Sequence, residues 1–235
     1  MSITGSLGRS LGRNLAPRVA SMAPGAATRV VHEALERAVR GVGPLPGAAA
    51  AAEKQLAENH GDVERAIRDI VESHVRFAAA EGFATNLGGL VTMTVTVPAN
   101  ITGLALIQCR MVAAIAHLRG YDLDDRRTRD AILAGLLGED RVNALIRKKR
   151  LPGTPMALAT APVHDPHLDT LVATEVAAEL VTRVAGKRLA TTVGRRVPVV
   201  GGMIGAGADA FSTWQVGRYM GRELLPRPRG RRTRA

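Results

Sequence analysis

The chain of 235 residues contains one cysteine, Cys109, so neither an intrachain disulfide nor a multi-cysteine metal site can form. Aromatic residues are scarce: Phe77, Phe83, Phe211, Tyr121, Tyr219 and Trp214 make up 3%. That is too few for base-stacking platforms interleaved with basic side chains. No acid occurs in residues 1–32 or 226–235, and no charge of either sign occurs from Gly82 to Cys109. The N-terminus lacks the apolar stretch of a secretory signal, so export is not expected. No Gly-x-Ser-x-Gly elbow is present. Gly186-Lys187 is followed by Arg188 where a phosphate-binding loop needs Ser or Thr.

What is present is aliphatic. Hydrophobic residues make up 46%, enough for one domain with a full core and too many for wholesale disorder. Net charge is +11, but the body from 33 to 225 has 23 bases against 21 acids. The surplus therefore sits at the ends: Arg9, Arg13, Arg18 and Arg29 in front, and Arg227, Arg229, Arg231, Arg232 and Arg234 behind. A nearly neutral body argues against a groove-binding nucleic-acid domain. Basic arms can still bind phosphate, on nucleic acid or on lipid head groups. Leu7, Leu11, Leu15 and Val19 recur every four residues, with Arg9 and Arg13 on other faces. That stripe suits a helix lying on a membrane surface, and its composition also resembles a transit peptide.

Helical periodicity dominates the remainder. Val30, Val31, Ala34, Leu35 and Ala38 predict a helix over 26–40, broken by the Gly- and Pro-rich segment 41–47. A short Ala-rich helix stops near Asn59-His60-Gly61, and Asp62 caps the next, with Ala66, Ile67, Ile70, Val71, His74, Val75 and Ala78 inward. Leu90–Val97 is β-branched and strand-like, whereas Ile101–Leu118 is apolar almost all round and predicts a buried helix. Asp122 or Asp124 is expected to cap a helix through Leu137, with Arg126, Arg127, Arg129 and Asp130 facing water. A short helix over 139–150 and a loop over 151–163 follow. Asp165-Pro166 opens a helix with Val172, Ala173, Val176, Ala177, Leu180, Val181 and Val184 inward. A last small-residue helix runs from Val197 to about Leu224.

Catalytic patterns are weak. His164, Asp165, His167 and Asp169 suggest a metal site only loosely, because the Asp-Pro helix start already explains two of them. Asp122, Asp124 and Asp125 lack the glycine and closing glutamate of a calcium loop. Glu175 and Glu179 are one turn apart, on the face expected in solvent. Cys109 and His117 are eight residues apart on one helix, about 12 Å, too far for a thiolate pair. Ser73 and His74 point in different directions. Gly205-Ala206-Gly207-Ala208-Asp209-Ala210 matches a loose dinucleotide pattern, but too little chain follows for a βαβ unit. Close helix packing through Gly201, Gly202, Gly205 and Gly207 explains it better. Asn86, Asn100, Gln108 and Asp209 are polar groups set in apolar sequence, and Asp209 is expected to pair with Arg110.

Two blocks together resemble the EcsC protein family. The first holds Pro98-Ala99-Asn100-Ile101, Gln108, Arg110, Ile115-Ala116-His117 and Gly120-Tyr121-Asp122-Leu123. The second runs from Pro198 to Asp209. The likeness covers roughly Val75 to Leu224, leaving out the N-terminal third and the arginine tail. In that family the Asn100 position is often an aspartate. The resemblance implies an α-helical prokaryotic protein of the cytoplasm, with a membrane, transport or secretion connection and no assigned reaction.

The expectation is an all-α fold: a single compact helical bundle over 26–225 with a buried apolar central helix. A basic segment over 1–25 and a disordered Arg-rich tail over 226–235 flank it. The sequence favours a non-catalytic interaction module without cofactor or metal, peripheral to the inner face of the cell membrane. Its partner would be an anionic membrane surface or a membrane protein. A single spanning helix is not expected, because Thr, Gly, Pro and Asn100 interrupt 87–107. The alternative is a soluble helical enzyme or small-ligand-binding protein.

Overall fold

The computed structural model describes residues 24–87, 93–193 and 198–228, with side chains described except at 24, 26–27, 83–102 and 184–205. Nine α-helices and one minimal hairpin make up these residues.

Helix α1 (Pro24–Arg40) buries Val31, Ala34, Leu35 and Ala38. Gly41 and Gly43 take positive φ and turn the chain through the strands β1 (Gly41–Val42) and β2 (Leu45–Pro46), paired antiparallel. Helix α2 (Ala48–Glu58) ends where His60 and Gly61 enter the left-handed region. Asp62 then accepts from the Arg65 amide at 2.9 Å and opens α3 (Val63–Leu87), as expected.

Helix α4 (Met93–Leu118) is the hub of the molecule. It packs against α1, α2, α3, the short helix α5 (Arg126–Leu136), and two later helices, α8 (Pro166–Val193) and α9 (Pro198–Glu223). Such encirclement requires an apolar surface on every side, and Leu104, Ala105, Cys109, Met111, Val112, Ala113, Ala114, Ile115 and Ala116 supply it. The strand-like reading of Leu90–Val97 fails from Met93 onward, where the chain is helical through Pro98. Tertiary packing has overridden a propensity of the order of 1 kcal/mol.

The cap of α5 is Asp125, whose side chain accepts from the Arg127 amide. Asp122 instead closes a local turn by accepting from the Asp124 amide. Helices α6 (Glu139–Arg147) and α7 (Pro155–Ala159) follow, the latter inside the segment expected to be a loop. Asp165 caps α8 through the His167 amide, with Pro166 next.

Gly217 lies against Val71 and Met111, and Gly221 against Ile67. These contacts set α3 antiparallel to α9. Gly103 beside Glu81 sets α3 antiparallel to α4. Arg183 at the end of α5 and Asp169 at its start run α8 parallel to α5. The C-terminal parts of α3 and α8 and the N-terminal parts of α4 and α9 therefore reach the same end of the bundle.

The tail is partly held. Arg227 donates its amide to Arg119 O at 2.8 Å and its guanidinium lies over the Tyr121 ring, while the Tyr121 hydroxyl donates to Leu225 O. The start of the segment expected to be disordered is thus docked beside the α4–α5 connection.

Candidate functional site

The most chemically loaded cluster joins three helices. Asp130, on α5, is 3% exposed. Its Oδ2 lies 3.1 Å from His164 Nε2, and the Asp169 carboxyl of α8 stands beside its own. Asp169 in turn meets His32 Nε2, on α1, at 2.9 Å. Burial first, and then Asp169, Asp165 and Asp125, push the Asp130 carboxyl up to about 7. Beside this cluster is a cavity of about 270 Å³, bordered by Arg127, Asp130, His164 and Asp165 on its polar side and by Leu158 and Leu168 on its apolar side. The Arg127 guanidinium is committed elsewhere: it grips both oxygens of Asp125 and donates to Ala161 O.

The expectation that Asp130 faces water is therefore wrong. On α5 alone it is one polar residue among arginines, but the α7–α8 connection folds over it. The loose His164–Asp169 grouping is resolved as well. His164 and Asp169 converge on Asp130, whereas Asp165 serves as a cap. Among the described residues no group of three or more His, Cys, Asp or Glu is arranged to hold a metal.

Glu175 is also misplaced by the sequence reading. It is 6% exposed and accepts from Arg141 at 2.9 Å and Arg150 at 2.6 Å. Glu179 pairs with Arg183 on its own helix.

A second polar seam lies where α3, α4 and α9 meet. Gln108 Nε2 donates to Thr213 and Ser212 hydroxyls at 3.2 and 3.3 Å. His74 Nδ1 bonds Ile70 O at 2.7 Å; burial, reinforced by Arg110, lowers the His74 pKa and favours the neutral ring. Gln108 and Asp209 are fully buried and Arg110 is half-buried, as expected for polar groups in apolar sequence. The proposed Arg110–Asp209 pair is not among the ion pairs of the described residues. Burial alone lowers Arg110, without the upward push that an adjacent carboxylate gives.

A family model supplies the decisive comparison: that of the EcsC protein family matches residues 6–222. The chain belongs to the EcsC protein family. The match corrects the narrower span read from the sequence, since it takes in the N-terminal third, including the stripe from Leu7 to Leu15. No curated protein and no solved structure matches this EcsC chain.

Several expected residues fall outside the description. Leu7, Arg9, Leu11, Arg13 and Leu15 lie outside the described residues, as do the side chains of Asn86 and Asn100. Surroundings are likewise not described for Gly201, Gly202 and Gly205. Gly207 is exposed, and a Cβ there would meet nothing within 4 Å, so it is no packing glycine. That role belongs to Gly217. Its G-x-x-x-G spacing with Gly221 was the available signal.

The outer face of α9 carries two exposed aromatics of this EcsC chain. Phe211 (58% exposed) stacks on Trp214 (41%), and Arg218 lies 4.9 Å over the Trp214 ring. Alongside runs a cleft of about 560 Å³ between α6, α8 and α9. Three of its arginines are paired: Arg141 with Glu175, Arg183 with Glu179 and Arg222 with Glu139.

Proposed function

We propose that this EcsC protein is a non-catalytic helical module that works end-on at an anionic membrane surface, at the cytoplasmic face. One juxtaposition carries the reading. The helices flanking 88–92 and 194–197 run to one end of the bundle. In sequence, 83–102 holds no charged residue, and 184–205 holds Lys187, Arg188, Arg195 and Arg196 with no acid. An apolar surface with cations around it is the composition that adsorbs to anionic lipid, each cation contributing about 1 kcal/mol near the surface. No helix among the described residues is long and apolar enough to cross a membrane, which suits adsorption better than spanning. The transport or secretion context implied by the family belongs to the same reading, with the bundle body left free for a partner.

Vesicle flotation tests it. The protein is expected to float with phosphatidylglycerol-containing vesicles at low salt, to stay behind with pure phosphatidylcholine, and to float less after Arg195→Glu with Arg196→Glu. Protein remaining wholly unbound with anionic vesicles at low salt overturns the reading.

A second reading, a small-ligand-binding protein, draws support from one observation, the cavity beside Asp130.

A further inference from the structure

We propose that the cavity bordered by Asp130, His164 and Asp165 is a binding site for a small organic cation, an ammonium or amidinium on a short apolar stem.

The charge balance comes first. On α5 the groups near Asp130 are Arg127 and the cap Asp125; from the α7–α8 connection come His164 and Asp165; from α8 comes Asp169; from α1 comes His32. Arg127 is neutralised by Asp125, and Arg129 is turned to Glu36 and Asp124. The cavity is left with Asp130 and Asp165 and no uncommitted guanidinium. Asp130 keeps its proton because it is buried, and the neighbouring carboxylates, Asp169 first, add to that. A ligand cation favours the charged carboxylate, and the proton leaves as the ligand enters.

The shape agrees. About 270 Å³ is below the usual ~300–1,000 Å³ of drug-sized ligand sites, so the ligand is small. Leu158, Leu168, Val163 and Pro152 line the same cavity and would receive an apolar stem. His164 Nε2 at 3.1 Å fixes one Asp130 oxygen, which orients the carboxyl.

The full-length protein is titrated with benzamidine and with n-butylamine, and with benzoate as an anion of matching size. Calorimetry and thermal midpoints are read at about pH 6 and about pH 8, either side of the Asp130 transition at about 7. Saturable binding of a cation is expected, tighter at the higher pH. Protons should be released on binding, read from two buffers of different ionisation enthalpy, and benzoate should have no effect. Asp130→Asn copies the protonated carboxyl, and should abolish the proton release and weaken binding about tenfold. Asp165→Asn keeps a good N-cap, so it tests the rim carboxylate should the first variant not fold; binding should weaken about threefold. No saturable response to either cation overturns the site. So do an equal response to benzoate and undiminished binding in the variants.

Discussion

At the scale of single residues, burial changes what a carboxyl group does. Asp130 is held protonated up to about 7, against an ordinary 3.8. Its folded form thus binds a proton that the unfolded chain has already released between those values. The stabilisation is present in full below about pH 4 and lost as pH rises through about 7. Asp130→Asn fixes the neutral geometry, so its thermal midpoint should gain on the parent's between about pH 4 and about pH 7 and level off above that. Parallel curves for the two proteins would show that Asp130 does not carry this proton. Glu175 has a different setting: it is buried between two guanidinium groups and accepts from both. Glu175→Ala should cost about 1–3 kcal/mol in denaturant unfolding, whereas Arg150→Ala, removing a half-exposed partner, should cost less than 1 kcal/mol. Neither residue was legible from its own helix. Asp130 sits among Arg126, Arg127 and Arg129, and Glu175 opposite the Val176–Leu180 stripe, so each looks solvated. The segments that cover them are distant in sequence: His164 lies on another connection, and Arg141 and Arg150 flank another helix.

At the scale of elements, the reading succeeded where one face decides the answer. The stripes of α1, α3 and α8, and the caps Asp62 and Asp165, depend only on neighbours a turn away, so periodicity and capping chemistry suffice. It failed where packing decides. The β-branched run is helical from Met93 because α4 is enclosed by six other helices and its backbone must satisfy itself. Of the glycines expected to pack closely, Gly207 does not, because small-residue density says nothing about which face meets a partner. Gly217 and Gly207 make a paired test. A Cβ at Gly217 would sit 2.7 Å from Val71 Cγ1 and 3.1 Å from Met111 Sδ, so Gly217→Ala should destabilise by about 1–3 kcal/mol through overpacking. Gly207→Ala meets nothing within 4 Å inside the same helix and should stabilise by about 0.5–1 kcal/mol. Equal effects of the two changes would mean that the α3–α9 seam is not as close as the contacts at 217 require.

At the scale of the whole molecule, the two long antiparallel pairs α3–α4 and α8–α9 give the bundle a polarity along its axis. One end is reached by the C-terminal part of α3 and the N-terminal parts of α4 and α9. The other holds the α7–α8 connection with Val163, 77% exposed. Trp214 lies between, 16 residues along α9 from Pro198, which is about 24 Å at 1.5 Å per residue. The chain is well suited to measure which part meets lipid. Its one tryptophan reports natively, and its one thiol, Cys109, is buried and pushed up to about 12, so it is chemically silent beside an introduced cysteine. End-on adsorption makes a definite pattern with anionic vesicles. An environment-sensitive dye on Leu90→Cys should shift to the blue, while the same dye on Val163→Cys and the emission of Trp214 should stay unchanged. The inverse pattern, a shifted Trp214 with an unshifted label at 90, would lay the flank bearing Phe77, Phe211 and Arg218 on the lipid. It would overturn the end-on geometry even if flotation succeeds, since flotation senses adsorption of any face.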